Sequence, residues 1–229
     1  MKQLTLSLLV LATASGRLEA APLCVSGSLQ DYINLGSSGC MAGNSVFSDF
    51  ANQPVSAFAA SVTPGNILVN PVSGPGLAFS GVTAAGAGEV FESFFRFRVA
   101  GLVGGASVSL GGANLFGDGS VTATSDICAG GMFPGSDPIG CTGSSAALVA
   151  AELVGFSQNP DSTTFPAVSA LDVFLQLTTD GGALGLASFD DATFTVTEVP
   201  EPSTFVSLLA GLAAVRAVRR IRAGQASRV

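Results

Sequence analysis

Hydrophobic and polar residues alternate in short segments over most of the chain after residue 55. Phe95, Phe97 and Val99 alternate with Arg96 and Arg98. The same alternation recurs at residues 106–110, 121–125, 171–177 and 193–197. Because successive side chains of a strand point to opposite faces, this pattern predicts β-strands that each have one buried face.

Clusters of Gly, Pro, Asn and Asp separate these segments. They lie at residues 64–66, 74–76, 117–119, 159–161 and 180–182. Roughly eight to ten short strands with frequent turns predict an all-β fold, an antiparallel β-sandwich of the jelly-roll or Ig-like kind. The stretch 146–154 fits a helix or a strand about equally well. With no fixed-period repeat and no interior linker, the strands indicate one domain.

A short helix is predicted before the strands begin. Ser28 and Asp31 have the spacing of a capping box in which the acidic residue is aspartate. Gly36 is placed to end the helix. Apolar side chains that could line one side of it are Leu29, Tyr32, Ile33 and Leu35.

The N-terminus has the pattern of a signal peptide. Lys2 supplies a positive charge, residues 4–14 are apolar, and small residues follow up to Ala20. We therefore predict a signal helix over residues 1–20, with cleavage after Ala20 or after Gly16. The alternative is a buried N-terminal helix of the folded protein.

The C-terminal segment, residues 199–229, has the order of a membrane anchor. Pro200, Glu201 and Pro202 hold the backbone extended, and Ser203 can cap a helix that follows. The apolar side chains of this helix include Phe205, Leu208, Leu209, Leu212 and Val215, and the arginines beyond them are Arg216, Arg219, Arg220 and Arg222. Arginines after an apolar helix favour the cytoplasmic side, so the rest of the chain is expected outside. The apolar run is shorter than the ~20 residues of a usual span, and an amphipathic helix on a soluble domain is the alternative.

Between these ends, residues 21–198 carry a strong negative charge. They contain fourteen acidic residues and two arginines, Arg96 and Arg98, which gives a net charge of about −12. Such a charge argues against binding to nucleic acid and to anionic lipid surfaces. We expect the two arginines to pair with part of the acidic excess.

Four cysteines lie in this acidic region: Cys24, Cys40, Cys128 and Cys141. An even number of cysteines in an exported chain indicates disulfides, and three pairings are open. We favour the local pairing, Cys24 with Cys40 and Cys128 with Cys141. The spacings are too wide for the paired thiolates of a zinc site.

The chain offers little catalytic chemistry. It has no histidine, and Lys2 is its last lysine, which excludes the usual Ser-His-Asp, Cys-His and Ser-Lys systems. Carboxylate pairs remain at Glu89 with Glu92 and at Asp190 with Asp191, and calcium could bind near Asp118 or near that aspartate pair. We nevertheless expect no catalytic residues, no cofactor and no metal.

The tail resembles the PEP-CTERM sorting signal of Gram-negative envelope and exopolysaccharide-associated proteins. Pro200, Glu201 and Pro202, the Leu-Ala-Gly-Leu stretch at 209–212 and the terminal arginines carry the resemblance. Spacing within residues 24–50 also resembles the N-terminal module of many such proteins. The resemblance implies that an exosortase, a membrane processing enzyme, recognises the motif and removes the anchor.

These features together predict an exported, non-enzymatic protein of the cell envelope or the exopolysaccharide matrix. It would be anchored transiently in the inner membrane, with exosortase and, in the matrix, exopolysaccharide as partners. Two alternatives share the predicted fold: a glycan- or calcium-binding, lectin-like adhesin, and a glycan hydrolase that uses two carboxylates.

Overall fold

The computed structural model describes residues 21–82 and 84–200. These residues form a mostly antiparallel β-structure with one short α-helix, which confirms the all-β class. The predicted signal helix and the predicted apolar C-terminal helix lie outside the described residues. Within the described residues, no helix is long and apolar enough to cross a membrane.

Fourteen strands run through the described region. They are β1 (Gly27–Ser28), β2 (Cys40–Ala42), β3 (Ser45–Asn52), β4 (Ala60–Ser61), β5 (Leu68–Pro71), β6 (Gly76–Ser80), β7 (Val90–Gly111), β8 (Asn114–Phe116), β9 (Ser120–Ala129), β10 (Ser144–Leu153), β11 (Phe156–Gln158), β12 (Asp161–Asp180), β13 (Leu186–Ser188) and β14 (Asp191–Glu198). The ambiguous stretch near residue 150 is therefore a strand, β10.

Twelve of these strands belong to one sheet. Its main path runs β1-β5-β6-β14-β7-β12-β9-β10-β11, and β3 also pairs with β7. Strands β8 and β13 form a separate two-stranded ladder. Every pairing between these strands is antiparallel except the short one between β4 and β7.

Strand β7 joins two parts of this sheet that face each other. Its first half pairs with β3 and its second half with β14, while β12 follows it along the other side. Phe97 in the first half packs edge-on against Phe194 of β14, with ring centroids 5.3 Å apart. The two halves can meet in this way only if the strand turns between them. The pairing of β7 with β12 is irregular between Ala100 and Gly105. A Cβ on Gly105 would come within 2.9 Å of the Thr163 carbonyl oxygen.

Phenylalanine rings fill the space between the two parts of the sheet. Phe97 is fully buried and also stacks on Phe50 at 5.2 Å between ring centroids. Phe79 of β6 packs against Phe95 of β7 at 4.9 Å. The alternation predicted around Phe95 is confirmed, because Phe95, Phe97 and Val99 are all buried.

The predicted helix is present as α1 (Leu29–Leu35). Its capping box is formed: the Asp31 backbone N–H donates to Ser28 Oγ at 3.2 Å, and the Ser28 backbone N–H donates to Asp31 Oδ2 at 2.8 Å. Ser28 Oγ also donates to Asp31 Oδ2 at 2.7 Å, and this bond, together with the one from the Ser28 N–H, lowers the pKa of Asp31. Gly36 ends the helix with φ 57°, a left-handed value that glycine adopts without strain.

Tyr32, on this helix, provides a test of the packing between the helix and the sheet. Its side chain is buried, and its hydroxyl donates to the Val25 carbonyl oxygen at 2.9 Å. Burial raises the pKa of Tyr32 from 10.0 to about 12. Between these two values the unfolded chain has lost the phenol proton and the folded chain keeps it. The free energy of unfolding therefore falls as the pH rises through this window, and this contribution is intact below pH about 10.

Tyr32 is the chain's one tyrosine, and the chain has no tryptophan, so tyrosinate absorbance reports this titration directly. We expect a midpoint near pH 12 in the folded protein and near pH 10 in denaturant. Tyr32→Phe should remove the corresponding loss of stability. A folded-state midpoint at the unfolded value would contradict the burial of this side chain.

Candidate functional site

Both predicted disulfides are formed, and with the favoured local pairing. Cys24 is joined to Cys40, with Cα atoms 4.8 Å apart, and Cys128 to Cys141, with Cα atoms 5.4 Å apart. Each closes a short loop, for which the chain-entropy model gives a stabilisation of ~3 kcal/mol. The described residues contain no free cysteine.

The second disulfide anchors a loop over the outer face of the sheet. Residues 129–140, which we call the disulfide loop, leave β9 and place Phe133 against Phe174 at 5.3 Å between ring centroids. Both rings are buried. Phe94 and Cys141 complete this small cluster, which is separate from the main core. The outer face here is therefore covered by the protein itself.

A buried ion pair fastens the disulfide loop to the sheet. Asp172 of β12 is fully buried and accepts a hydrogen bond from Arg96 Nε at 2.8 Å and another from Arg96 Nη2. Asp172 also accepts from the backbone N–H of Phe133 at 2.8 Å. Two further hydrogen bonds of Arg96 reach loop carbonyl oxygens, those of Phe133 at 2.8 Å and Gly135 at 2.9 Å. The hydrogen bond to Asp172 raises the pKa of Arg96.

The second arginine is placed differently. Arg98 is half-buried, on the same face of β7 as Arg96. Among the described residues, no carboxylate oxygen lies within 4.0 Å of its guanidinium nitrogens. The expectation that both arginines pair with acidic residues is thus confirmed for Arg96 and wrong for Arg98. The reason is that Arg98 stands opposite Asp172 in the sheet, but Arg96 and the loop already occupy that carboxylate.

Arg98 lines an open depression of about 430 Å³, which we call the arginine pocket. Its walls come from three segments: Asp49 of β3 with Gln53 just beyond the end of that strand, Arg96 and Arg98 of β7, and Met132 and Ser136 of the disulfide loop. Such a volume is in the range of small-molecule sites. The ion pair and the second disulfide hold the loop wall in place.

One wall of the arginine pocket contains a backbone irregularity. Asp49 has φ 55°, and the pairing of β3 with β7 shifts register between Ser48 and Ala51. Bulges of this kind redirect side chains and are frequent next to functional sites. Among the described residues, Asp49 is the one non-glycine residue with positive φ.

The carboxylates considered as catalytic or calcium-binding have structural roles. Asp118 accepts the backbone N–H groups of Ala183 at 2.8 Å and Leu184 at 3.0 Å, which lowers the pKa of Asp118. Glu89 is exposed and accepts from the Gly86 N–H at 2.8 Å, whereas Glu92 is buried. Over residues 21–82 and 84–200, no three His, Cys, Asp or Glu side chains are grouped so as to hold a metal ion.

The last of the paired carboxylates, Asp190 and Asp191, lie at the start of β14. Asp190 precedes the strand, and its backbone N–H donates to the Gly111 carbonyl oxygen at 2.9 Å. Asp191 begins the strand and is paired in register with Ser80 on one side and Gly111 on the other. The backbone of both residues therefore helps to start β14 within the sheet.

The predicted sorting motif begins where the fold ends. Strand β14 ends at Glu198, whose carboxylate accepts from the Asn44 backbone N–H at 2.7 Å and from Ser45 Oγ at 2.8 Å. The Val199 N–H donates to the Leu102 carbonyl oxygen at 2.8 Å. Pro200 is exposed and is the last described residue. Glu201, Pro202, the apolar anchor and the terminal arginines lie outside the described residues.

Comparison with protein-family models, with curated proteins and with solved structures finds no match for this chain. The interpretation of the molecule therefore depends on its own residues and geometry.

Proposed function

We propose that this chain is an exported, non-enzymatic protein of the cell envelope or the exopolysaccharide matrix. Its C-terminal segment acts as a PEP-CTERM sorting signal, which an exosortase-type enzyme of a Gram-negative bacterium recognises. The observation that carries the proposal is the order of Pro200, Glu201 and Pro202, an apolar run and an arginine cluster. The protein is anchored transiently in the inner membrane and released when the anchor is removed.

The two disulfides support the proposed location. Disulfides persist in the periplasm and outside the cell and are rare in reducing compartments. Two of them in one acidic domain are compatible with an oxidising, exported environment. Pro200, the first residue of the motif, is exposed and lies one residue after the backbone hydrogen bond from Val199 to Leu102, which supports access by an enzyme in the membrane.

We further propose that residues 21–198 form a single β-sandwich of the jelly-roll or Ig-like kind. The turn in β7 and the contact between Phe97 and Phe194 support two layers packed face to face. Such a domain is a rigid carrier with two open ends, which suits a structural or adhesive component of a matrix.

Replacing both motif prolines tests the sorting proposal. We expect Pro200→Ala with Pro202→Ala to leave the full-length precursor in the membrane fraction, because the extended recognition segment loses its rigidity. Cell fractionation, with a size comparison of the product on gels, measures the effect. The matched control is Pro54→Ala with Pro134→Ala, two exposed prolines of the folded domain. Unchanged trimming and location in the motif variant would remove the basis of the proposal.

A further inference from the structure

The arginine pocket contains Arg98, the one cationic side chain of the described residues without a hydrogen bond or ion pair within the fold. Arg96 donates hydrogen bonds to Asp172 and to two loop carbonyl oxygens. Arg98 has no hydrogen bond or ion pair to any other described residue. In a domain with a net charge of about −12, a guanidinium without a carboxylate partner among the described residues is unexpected from electrostatics alone.

The groups around Arg98 restrict what the pocket can accept. Asp49 lies close enough to raise the pKa of Arg96, yet it makes no ion pair with either arginine. Gln53 is buried, and its side-chain amide donates to the Ala51 carbonyl oxygen at 3.4 Å. The pocket thus offers a planar cation on one wall and an acceptor carboxylate on another. A simple anion would meet attraction from Arg98 and repulsion from Asp49.

We propose that the arginine pocket binds one acidic sugar unit, a uronate residue of a polysaccharide whose charges are widely spaced, since the net charge of the domain opposes a densely charged polymer. The sugar carboxylate would take a bidentate position on the Arg98 guanidinium, which matches carboxylate geometry. A sugar hydroxyl would donate to the Asp49 carboxylate, which already accepts from Ser48 Oγ at 3.2 Å. The inference rests on the proposed export, since it is outside the cell that this pocket would meet a matrix polysaccharide.

Calorimetric titration of the purified full chain, with its disulfides formed, tests the inference. The probes are tri-galacturonate, a neutral galactose trisaccharide, acetate and a glutamate tripeptide at one ionic strength. We expect tri-galacturonate to bind at least about tenfold more tightly than each of the other three. Equal binding of acetate or of the peptide would overturn the assignment to a sugar, and so would the absence of binding by tri-galacturonate.

Two variants locate the binding. Arg98→Gln should weaken tri-galacturonate by at least about tenfold, because a charge-assisted pair is lost. Gln158→Glu is the matched control: it makes the same change in net charge at an exposed edge position outside the pocket, and should leave affinity within about twofold. Unchanged affinity in Arg98→Gln would overturn the inference.

Asp49→Asn distinguishes recognition of a sugar from recognition of a carboxylate group alone. Asparagine tolerates the positive φ of this position, so the backbone is kept. The variant should lower the preference for tri-galacturonate over acetate, because it weakens the acceptor for a sugar hydroxyl that acetate does not have, while both carboxylates are relieved of the same repulsion. An unchanged preference would contradict the role given to Asp49. These titrations use purified protein and do not depend on sorting in cells. A lack of binding would therefore not contradict the sorting proposal, and a failure of the sorting test would not change the binding that is measured.

Discussion

Asp172→Ala is expected to lower the free energy of unfolding by about 3 kcal/mol, one of the two largest effects that we predict for a single substitution. The alanine leaves Arg96 without its carboxylate partner. This is costly because the Arg96 side chain is only 23% exposed. It also leaves the buried N–H of Phe133 without its acceptor. Unpaired buried donors cost more than the net value of the hydrogen bonds that they made. Denaturant unfolding of the oxidised protein, followed by circular dichroism, measures the change.

The same loop provides the control. Asp137 is exposed in the disulfide loop, and Asp137→Ala should change stability by less than about 0.5 kcal/mol. Hydrogen exchange adds a local readout, because the Phe133 amide should lose protection in Asp172→Ala. If the two variants are equally stable and the Phe133 amide stays protected, the ion pair does not hold the loop on the sheet.

Phe97→Ala is expected to cost about 3–5 kcal/mol, the range for removing a fully buried phenylalanine. The side chain has no exposed surface and contacts rings from both parts of the sheet. The truncation would leave a cavity between Phe50 on one side and Phe194 on the other. This change should weaken the whole domain in one cooperative transition.

Phe58→Ala is the matched control, because Phe58 is 95% exposed and the same atoms are removed. We expect less than about 0.5 kcal/mol for this variant. A similar small cost for Phe97→Ala would mean that the two parts of the sheet do not pack on each other through these rings. It would also contradict the proposed β-sandwich.

The strands, the helix and the disulfides could be predicted because each depends on local signals. The alternation at residues 95–99 gives the buried face of β7 directly, and the capping box formed by Ser28 and Asp31 marks the start of α1. Short cysteine spacings favoured the local pairing that the structure has. Around residue 150 the small apolar residues have no clear period, and pairing with β9 decides in favour of a strand.

The arginine pocket could not be predicted, because it is assembled from segments distant in sequence. Arg96 and Arg98 are recognisable as outward-facing residues of one strand, but alternation does not show what covers that face. Asp172 did carry a signal: it is a single charge next to Leu171, at a position that alternates to the outer face. The sequence offers no comparable signal that the disulfide loop folds over the sheet and takes Asp172 as its partner.

The arrangement also explains why two arginines of similar sequence context differ in role. Arg96 lies beneath the disulfide loop, with its guanidinium over the ring of Phe174 at 5.2 Å from the centroid. Arg98 lies two residues further along β7, opposite Ser48 of β3 and beside the bulge at Asp49. A cation that stabilises the loop and a cation open to a ligand therefore stand next to each other on one strand.

Intact-mass analysis of the protein recovered from its cells is the sharpest test of export and tail removal, because it reports both chain ends and the state of the four thiols together. We expect the mass of a chain without its first 16 to 20 residues and without the apolar, arginine-ended tail, lower by four hydrogens for the two disulfides. A full-length mass with four reduced cysteines, recovered from the cytoplasm, would contradict it.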